Sequence, residues 1–178
     1  MRFAAIVLVL GFTATCAQGD GQTMQHSAEP VHITTSFHFE VHAPFSRVAL
    51  LFGPESEKSW AGKHWQPEFL YPRPATDSQG AVFTVPQGPH TSIWVNTLYD
   101  VAAGRMQYVA VIPDVVASIV DVRLTDVQSS QTAVDVTYTR TALDPEANDH
   151  VRSLAHHDGV SGPEWQSSIE KSFIAPLN

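Results

Sequence analysis

The stretch that decides the fold is "ASIVDVRLTDVQSSQTAVDVTYTRTAL", residues 117–143. Val120, Val122 and Leu124 stand on one parity against Asp121 and Arg123, and Val134, Val136 and Tyr138 oppose Asp135, Thr137 and Thr139. Side chains of a strand alternate between faces, so the pattern predicts two antiparallel strands, each with one apolar and one solvated face. The polar "VQSSQ" between them predicts the turn. Upstream, "GAVFTV" (80–85), "TSIWVNTLYD" (91–100) and "RMQYVAVI" (105–112) read as further strands of a meander, with "DVVAS" (114–118) as another turn.

Nearer the N-terminus, Val31, Ile33, Phe37, Phe39 and Val41 share a parity and predict a half-buried strand. "APFSRVALLFGPES" (43–56) predicts a short helix opened by Pro44 and stopped at Gly53-Pro54. "EKSWAGKHWQPEFLYPRP" (57–74) is aromatic and proline-rich, with a helical turn over Glu57 to Trp60 and an extended piece through Phe69 and Tyr71. After residue 143 the period changes. Asp144 is a helix N-cap ahead of Pro145, and a helix should run to about His157. "DGVSGP" (158–163) interrupts it, and it resumes with Trp165, Ile169 and Phe173 at i, i+4, i+8. The expected architecture is α+β. A curved antiparallel sheet of about six to seven strands wraps around a long C-terminal helix, with two short helices after the first strand. Sheet and helix would meet at the edges and part in the middle, leaving a cavity.

The chain has 178 residues, enough for one domain with one core after a leader is set aside. Arg2 followed by the apolar run Phe3–Phe12 and small residues reads as a secretory signal, too short to span a bilayer. Residues 1–17 are the expected signal peptide, 18–30 a polar linker and 31–175 the domain. An alternative is a lipoprotein signal with Cys16 acylated as a membrane tether, although Thr13 and Thr15 depart from the usual pattern. Both place the protein outside the cytoplasm, periplasmic or secreted. Cys16 is the single cysteine, so the domain has neither a disulfide nor a thiolate site. The formal net charge is −8 and no basic stripe is present, which excludes nucleic acid and anionic lipid surfaces as expected partners. A monomer is expected.

The order of elements and several local motifs resemble the helix-grip superfamily of SRPBCC proteins, which includes START lipid-transfer domains, polyketide cyclases and the birch-pollen-allergen proteins. "LFGPESEKSWAGKHWQPEFLYP" resembles an uncharacterised bacterial branch, through Phe52, Pro54, Glu57, Trp60, Trp65, Pro67 and Glu68. "GAVF", "IWVNTLYD", "VTYTRTAL" and Trp165 are similar too, so the resemblance spans roughly residues 33 to 174. It implies a hydrophobic cavity that binds or carries apolar molecules and, in some members, cyclises them. It carries over no catalytic residue.

Residue by residue, the cavity face should be built by Phe37, Phe39, Trp94, Asn96, Met106, Tyr108, Tyr138, Arg140 and Trp165. An inward Arg140 needs an anion: a ligand carboxylate, Glu57 or Asp100, unless the strand has already reached solvent there. Glu57, Trp60 and Trp65 are the expected entrance, or else a plug against Trp165 and Phe173. His38, Glu40 and His42 fall at every second position of "FHFEVH" (37–42), the spacing of a metal strand. Set against that, they are the solvent face of a strand whose phenylalanines point inward, and no metal or other cofactor is expected. His156 and His157 lie about 100° apart on a helix, so only one of them can face the cavity. No Ser elbow, P-loop, dinucleotide fingerprint or HExxH occurs. The expected function is binding of a hydrophobic or amphipathic small molecule (a lipid, fatty acid or polyketide-like compound). The alternatives are a cyclase- or lyase-like enzyme in the same cavity and a ligand-free envelope protein.

Overall fold

The computed structural model describes residues 29–174. The signal segment, Cys16 and most of the linker lie outside the described residues, as does Ala175 at the far end of the expected domain.

The hairpin of residues 117–143 is the centre of the architecture. Strands β6 (Val116–Gln128) and β7 (Gln131–Ala142) pair antiparallel, with Val120 opposite Tyr138 and Val122 opposite Val136. Val120, Val122, Leu124, Val134 and Val136 are buried, as their parity requires. Strand β1 (His32–Val41) crosses from the start of the chain to pair with β7, setting Phe37 opposite Val136 and Phe39 opposite Val134. On the other side follow β5 (Arg105–Ile112), β4 (His90–Asp100), β3 (Val82–Gln87) and β2 (Glu68–Tyr71). The result is one seven-stranded antiparallel sheet in the order β1-β7-β6-β5-β4-β3-β2. Register shifts in β2, β4 and β6 add the local twist that lets such a sheet curl.

Between β1 and β2 the chain forms α1 (Phe45–Val48), a 3-10 turn at Ala49–Leu51 and a second at Ser56–Ser59. At the C-terminus, Asp144 accepts a hydrogen bond from the Glu146 N–H and opens a 3-10 turn that leads into α2 (Asn148–Asp158). A break at Gly159–Ser161 separates it from α3 (Gly162–Ser172). The long C-terminal helix is thus two segments of 11 residues each, divided within "DGVSGP". No helix among the described residues is long and apolar enough to cross a membrane.

Both segments pack on β1, and α2 also reaches β7. Gly162 permits that approach, because a Cβ there would come within 3.1 Å of the His38 carbonyl oxygen. The main core joins Phe52, Phe83, Met106, Val136 and Ile169, and a smaller cluster of Val116, Ala142 and Val151 lies under α2.

Two glycines give a test of this geometry. Gly104 has φ +63°, and a Cβ there would stand 2.7 Å from both the Leu124 carbonyl oxygen and the Phe45 ring. Gly88 has φ +59° with nothing within 4 Å. Gly104→Ala is expected to cost about 3 kcal/mol in denaturant unfolding, and Gly88→Ala about 1 kcal/mol, since only the first adds a clash to backbone strain. Equal losses would mean that the β4–β5 turn is not packed against β6 and α1 in this way.

Candidate binding cavity

Away from β1, the curved sheet and the helices diverge, and the space between them is a cavity of about 950 Å³. Inward positions of four adjacent strands floor it: Trp94 on β4, Tyr108 and Ala110 on β5, Ser118, Val120 and Val122 on β6, and Tyr138 and Arg140 on β7. Leu154, His157 and Trp165 contribute from the helices, and Glu57, Trp60 and Trp65 from the irregular segment after β1. All four tryptophans of the chain line it.

The indoles are fixed by the scaffold. Trp60 Nε1 donates to the Leu51 carbonyl (2.9 Å), Trp65 Nε1 to the Pro54 carbonyl (2.9 Å) and Trp94 Nε1 to Ser92 Oγ (2.7 Å). Trp60 packs on Trp165 with ring centroids 5.1 Å apart, and Trp65 meets Trp94 edge-on at 5.4 Å. With their N–H groups occupied, these three side chains offer the cavity ring surface and no donor.

Glu57, expected at the entrance, instead lies on the inner wall and is only 8 % exposed. The 3-10 turn that carries it is anchored by Asp77, whose carboxylate accepts from the N–H groups of Glu55 and Ser56 and from the Ser56 hydroxyl. The Tyr108 hydroxyl donates to Glu57 Oε1 at 3.1 Å. Burial pushes the Glu57 carboxyl up to about 8, partly offset by that hydrogen bond and reinforced by the charge of Asp77. Burial likewise holds the Tyr108 and Tyr138 phenols well above their ordinary value, and pushes Tyr99 up to about 12. Glu57 and Tyr108 are therefore a buried acid pair, and one of them titrates near neutral pH.

Arg140 does turn inward, but its anion is neither Glu57 nor Asp100. Asp158, at the end of α2, takes it in a bidentate pair: Nε to Oδ2 at 2.6 Å and Nη2 to Oδ1 at 2.8 Å. Nη1 donates to Ser118 Oγ at 3.0 Å, and the guanidinium lies 4.5 Å from the Tyr138 ring centroid. In the sequence Asp158 stands at a helix break, 18 positions from Arg140, and no local pattern links the two. Asp77, in the polar "TDSQG", carried no signal either.

Four residues expected in the cavity wall are not among those that line it. Phe37 and Phe39 point inward but are sealed behind Trp165, at centroid distances of 5.2 and 6.5 Å, because α3 covers β1. Met106, 1 % exposed, belongs to the closed core with Phe52 and Phe83. Asn96 is fully buried, and neither polar atom of its side chain has a hydrogen-bond partner among the described residues.

On the outer face of β1, His38 pairs with Asp135 (2.8 Å), His42 with Glu170 (2.7 Å), and Glu40 accepts from Gln131. The three are spread over separate partners rather than converging on one point. Of the two adjacent helix histidines, His157 lines the cavity and His156 faces solvent.

Two outcomes follow. The carboxyl of Glu57 binds its proton more tightly folded, near 8, than unfolded, near 4.5, so folding gains from it below about pH 4.5 and loses that gain between there and pH 8. Glu57→Gln, which can still accept from Tyr108, should leave the melting temperature nearly unchanged at pH 5 and raise it at pH 8.5. A flat difference across that range would show that Glu57 is solvated. Asp158→Asn strips the counter-charge from a guanidinium that is only 14 % exposed. It should cost about 3 kcal/mol by denaturant unfolding, against under 1 kcal/mol for the exposed Asp149→Asn.

No protein-family model matches the sequence, and neither does any curated protein. Solved structures do match in shape. Truncated norcoclaurine synthase from Thalictrum flavum superposes with a TM-score of 0.62 at 12 % identity, over 85 % of this chain and 98 % of that one. A Thermobifida fusca protein solved by NMR gives 0.59 at 19 % identity, over 82 % and 96 %. DynU16, from the dynemicin biosynthetic locus, gives 0.53 at 14 % identity, over 80 % of this chain and 47 % of its own. Likeness at such identity speaks for architecture and leaves the chemistry open. The chain has the helix-grip fold, a seven-stranded curved antiparallel sheet closed by C-terminal helices.

Proposed function

We propose that this protein binds a small apolar or amphipathic molecule in the cavity between sheet and helices. The observation that carries the reading is the cavity itself: about 950 Å³, walled by four tryptophans together with polar and titratable side chains. That is the size and character of a small-molecule site. Burying ligand surface against the rings would supply affinity at roughly 25 cal/mol per Å², while Tyr138 and the Glu57–Tyr108 pair would orient polar ends. The shape match to norcoclaurine synthase supports the same reading, since that enzyme is also known in complex with dopamine and hydroxybenzaldehyde, at 14 % identity and a TM-score of 0.60. The N-terminal sequence supports export, with Cys16 as the point of lipid attachment if the leader is of the lipoprotein type.

A second reading is favoured by one feature. A carboxyl titrating near 8, bonded to a buried tyrosine on the cavity wall, is the arrangement a cyclase- or lyase-like enzyme needs to move a proton. A filled core without a ligand is the reading against which the cavity weighs.

Native mass spectrometry of the full-length product from its own host, before and after organic extraction, tests the binding reading. A co-purifying apolar metabolite is expected. An empty protein that also fails to quench its tryptophan fluorescence with N-phenyl-1-naphthylamine would overturn it. Ala110→Phe fills the cavity from β5 and should weaken probe binding at least tenfold while the melting temperature holds within a few degrees.

A further inference from the structure

The wall and mouth of the cavity carry the small-molecule reading on to a class of ligand. Glu57 is 8 % exposed and lines the cavity; its Oε1 accepts from Tyr108, and its Oε2 has no hydrogen-bond partner among the described residues. This oxygen is not among the sealed polar atoms left without a partner, so it opens onto the cavity, where a ligand can supply one. The surfaces nearby are indole faces, whose quadrupoles attract positive charge. Around the mouth stand four exposed carboxylates, Asp114, Asp144, Glu146 and Glu164, none of which has an ion-pair partner among the described residues. Among the described residues Arg140 is the only lysine or arginine in the lining, and Asp158 already neutralises it. An anionic ligand would therefore cross an acidic mouth to reach a wall with no free fixed cation. A cationic one meets attraction at each step.

We propose that the cavity selects an organic cation, an arylalkyl- or alkylammonium whose charged end lies against Glu57 among the tryptophan faces. The proposal rests on the small-molecule reading above. The ligand's charge supplies the counter-ion that burial denies the carboxyl, so binding ionises Glu57 and releases its proton. Glu57 is faced by Tyr108 from β5, Tyr99 from β4, Tyr138 from β7 and Asp77 from the loop before β3. None of them is a cation that could do this in the ligand's place. Because the unliganded carboxyl titrates near 8, affinity should climb with pH up to about that value, by as much as about tenfold per unit. His64, His90, His150 and His157 also line the cavity, so the slope is read as the difference between wild type and Glu57→Gln. Only the Glu57 contribution disappears in Glu57→Gln.

The test is calorimetric titration of the full-length protein, emptied by organic extraction, with three probes sharing a phenyl ring and a two-carbon arm. These are phenethylamine, phenethyl alcohol and 3-phenylpropionate, each at pH 6.5 and 8.5. At pH 8.5 the amine is expected to bind at least tenfold more tightly than the other two, and to lose about tenfold at pH 6.5. In Glu57→Gln the ratio of amine to alcohol affinity should fall to about one, and most of the pH slope of amine binding should vanish. An alcohol or carboxylate that binds as tightly as the amine would overturn the cation proposal and leave small-molecule binding standing. So would an amine preference that survives in Glu57→Gln. If none of the three binds, the cation proposal falls; the underlying reading falls with it only if the protein from its host is also empty and N-phenyl-1-naphthylamine leaves the tryptophan fluorescence unchanged.

Discussion

The cavity depends on where the helices are pinned, and the Arg140–Asp158 pair pins them. Two hydrogen bonds of 2.6 and 2.8 Å tie the end of α2 to the inner face of β7, next to the edge formed by β1. From that point the chain turns and α3 lies back along β1. Both helices are thus held over one side of a sheet whose other strands curve away beneath them. A purely apolar contact would let the helices slide toward the centre and collapse the gap. A bidentate ion pair allows one geometry, because leaving either charge buried and unpaired is costly. In this position its value lies in fixing a geometry more than in adding stability.

Within the gap, aromatic packing and hydrogen bonding divide the work. Three of the four tryptophan N–H groups are spent on Leu51, Pro54 and Ser92, which fixes those rings and leaves their apolar surfaces to the cavity. Asp77 does the same for Glu57 from the outside, holding the turn that delivers the carboxyl to the wall. The wall therefore has one titratable carboxyl set among rings, with a tyrosine as its donor. Burial pushes that carboxyl up to about 8, so a charged occupant of the cavity would change its protonation. The same property serves a receptor that recognises charge and an enzyme that transfers a proton, so ligand identity decides between the two.

The period-two pattern of residues 117–143 was enough to place β6, β7 and the turn between them, and the same pattern placed β1, β4 and β5. It also sorted "FHFEVH" into inward phenylalanines and outward histidines. Parity says which face a side chain joins. It does not say whether that part of the face is roofed by a helix or left open, and here lay the differences at Phe37, Phe39, Asn96 and Met106. Trp94, Tyr108, Tyr138 and Trp165 have the same kind of signal and do line the cavity. The distinction between the two groups is set by where α3 crosses β1 and where Phe52 and Phe83 fill the core.

What the sequence determined by itself was the sheet, its inward face, the interrupted C-terminal helix and the condition that Arg140, if it turns inward, must meet an anion. Each follows from local periodicity or from the cost of burying a charge. Only the tertiary structure decided that the anion is Asp158, that Glu57 is an inner-wall group and not a gate, and how much space remains between the layers. Those depend on contacts between residues far apart in the chain: 18 positions for Arg140 and Asp158, and 51 for Glu57 and Tyr108. No local pattern encodes such pairings, because they are fixed by how the helices and the irregular segment come to rest on the sheet.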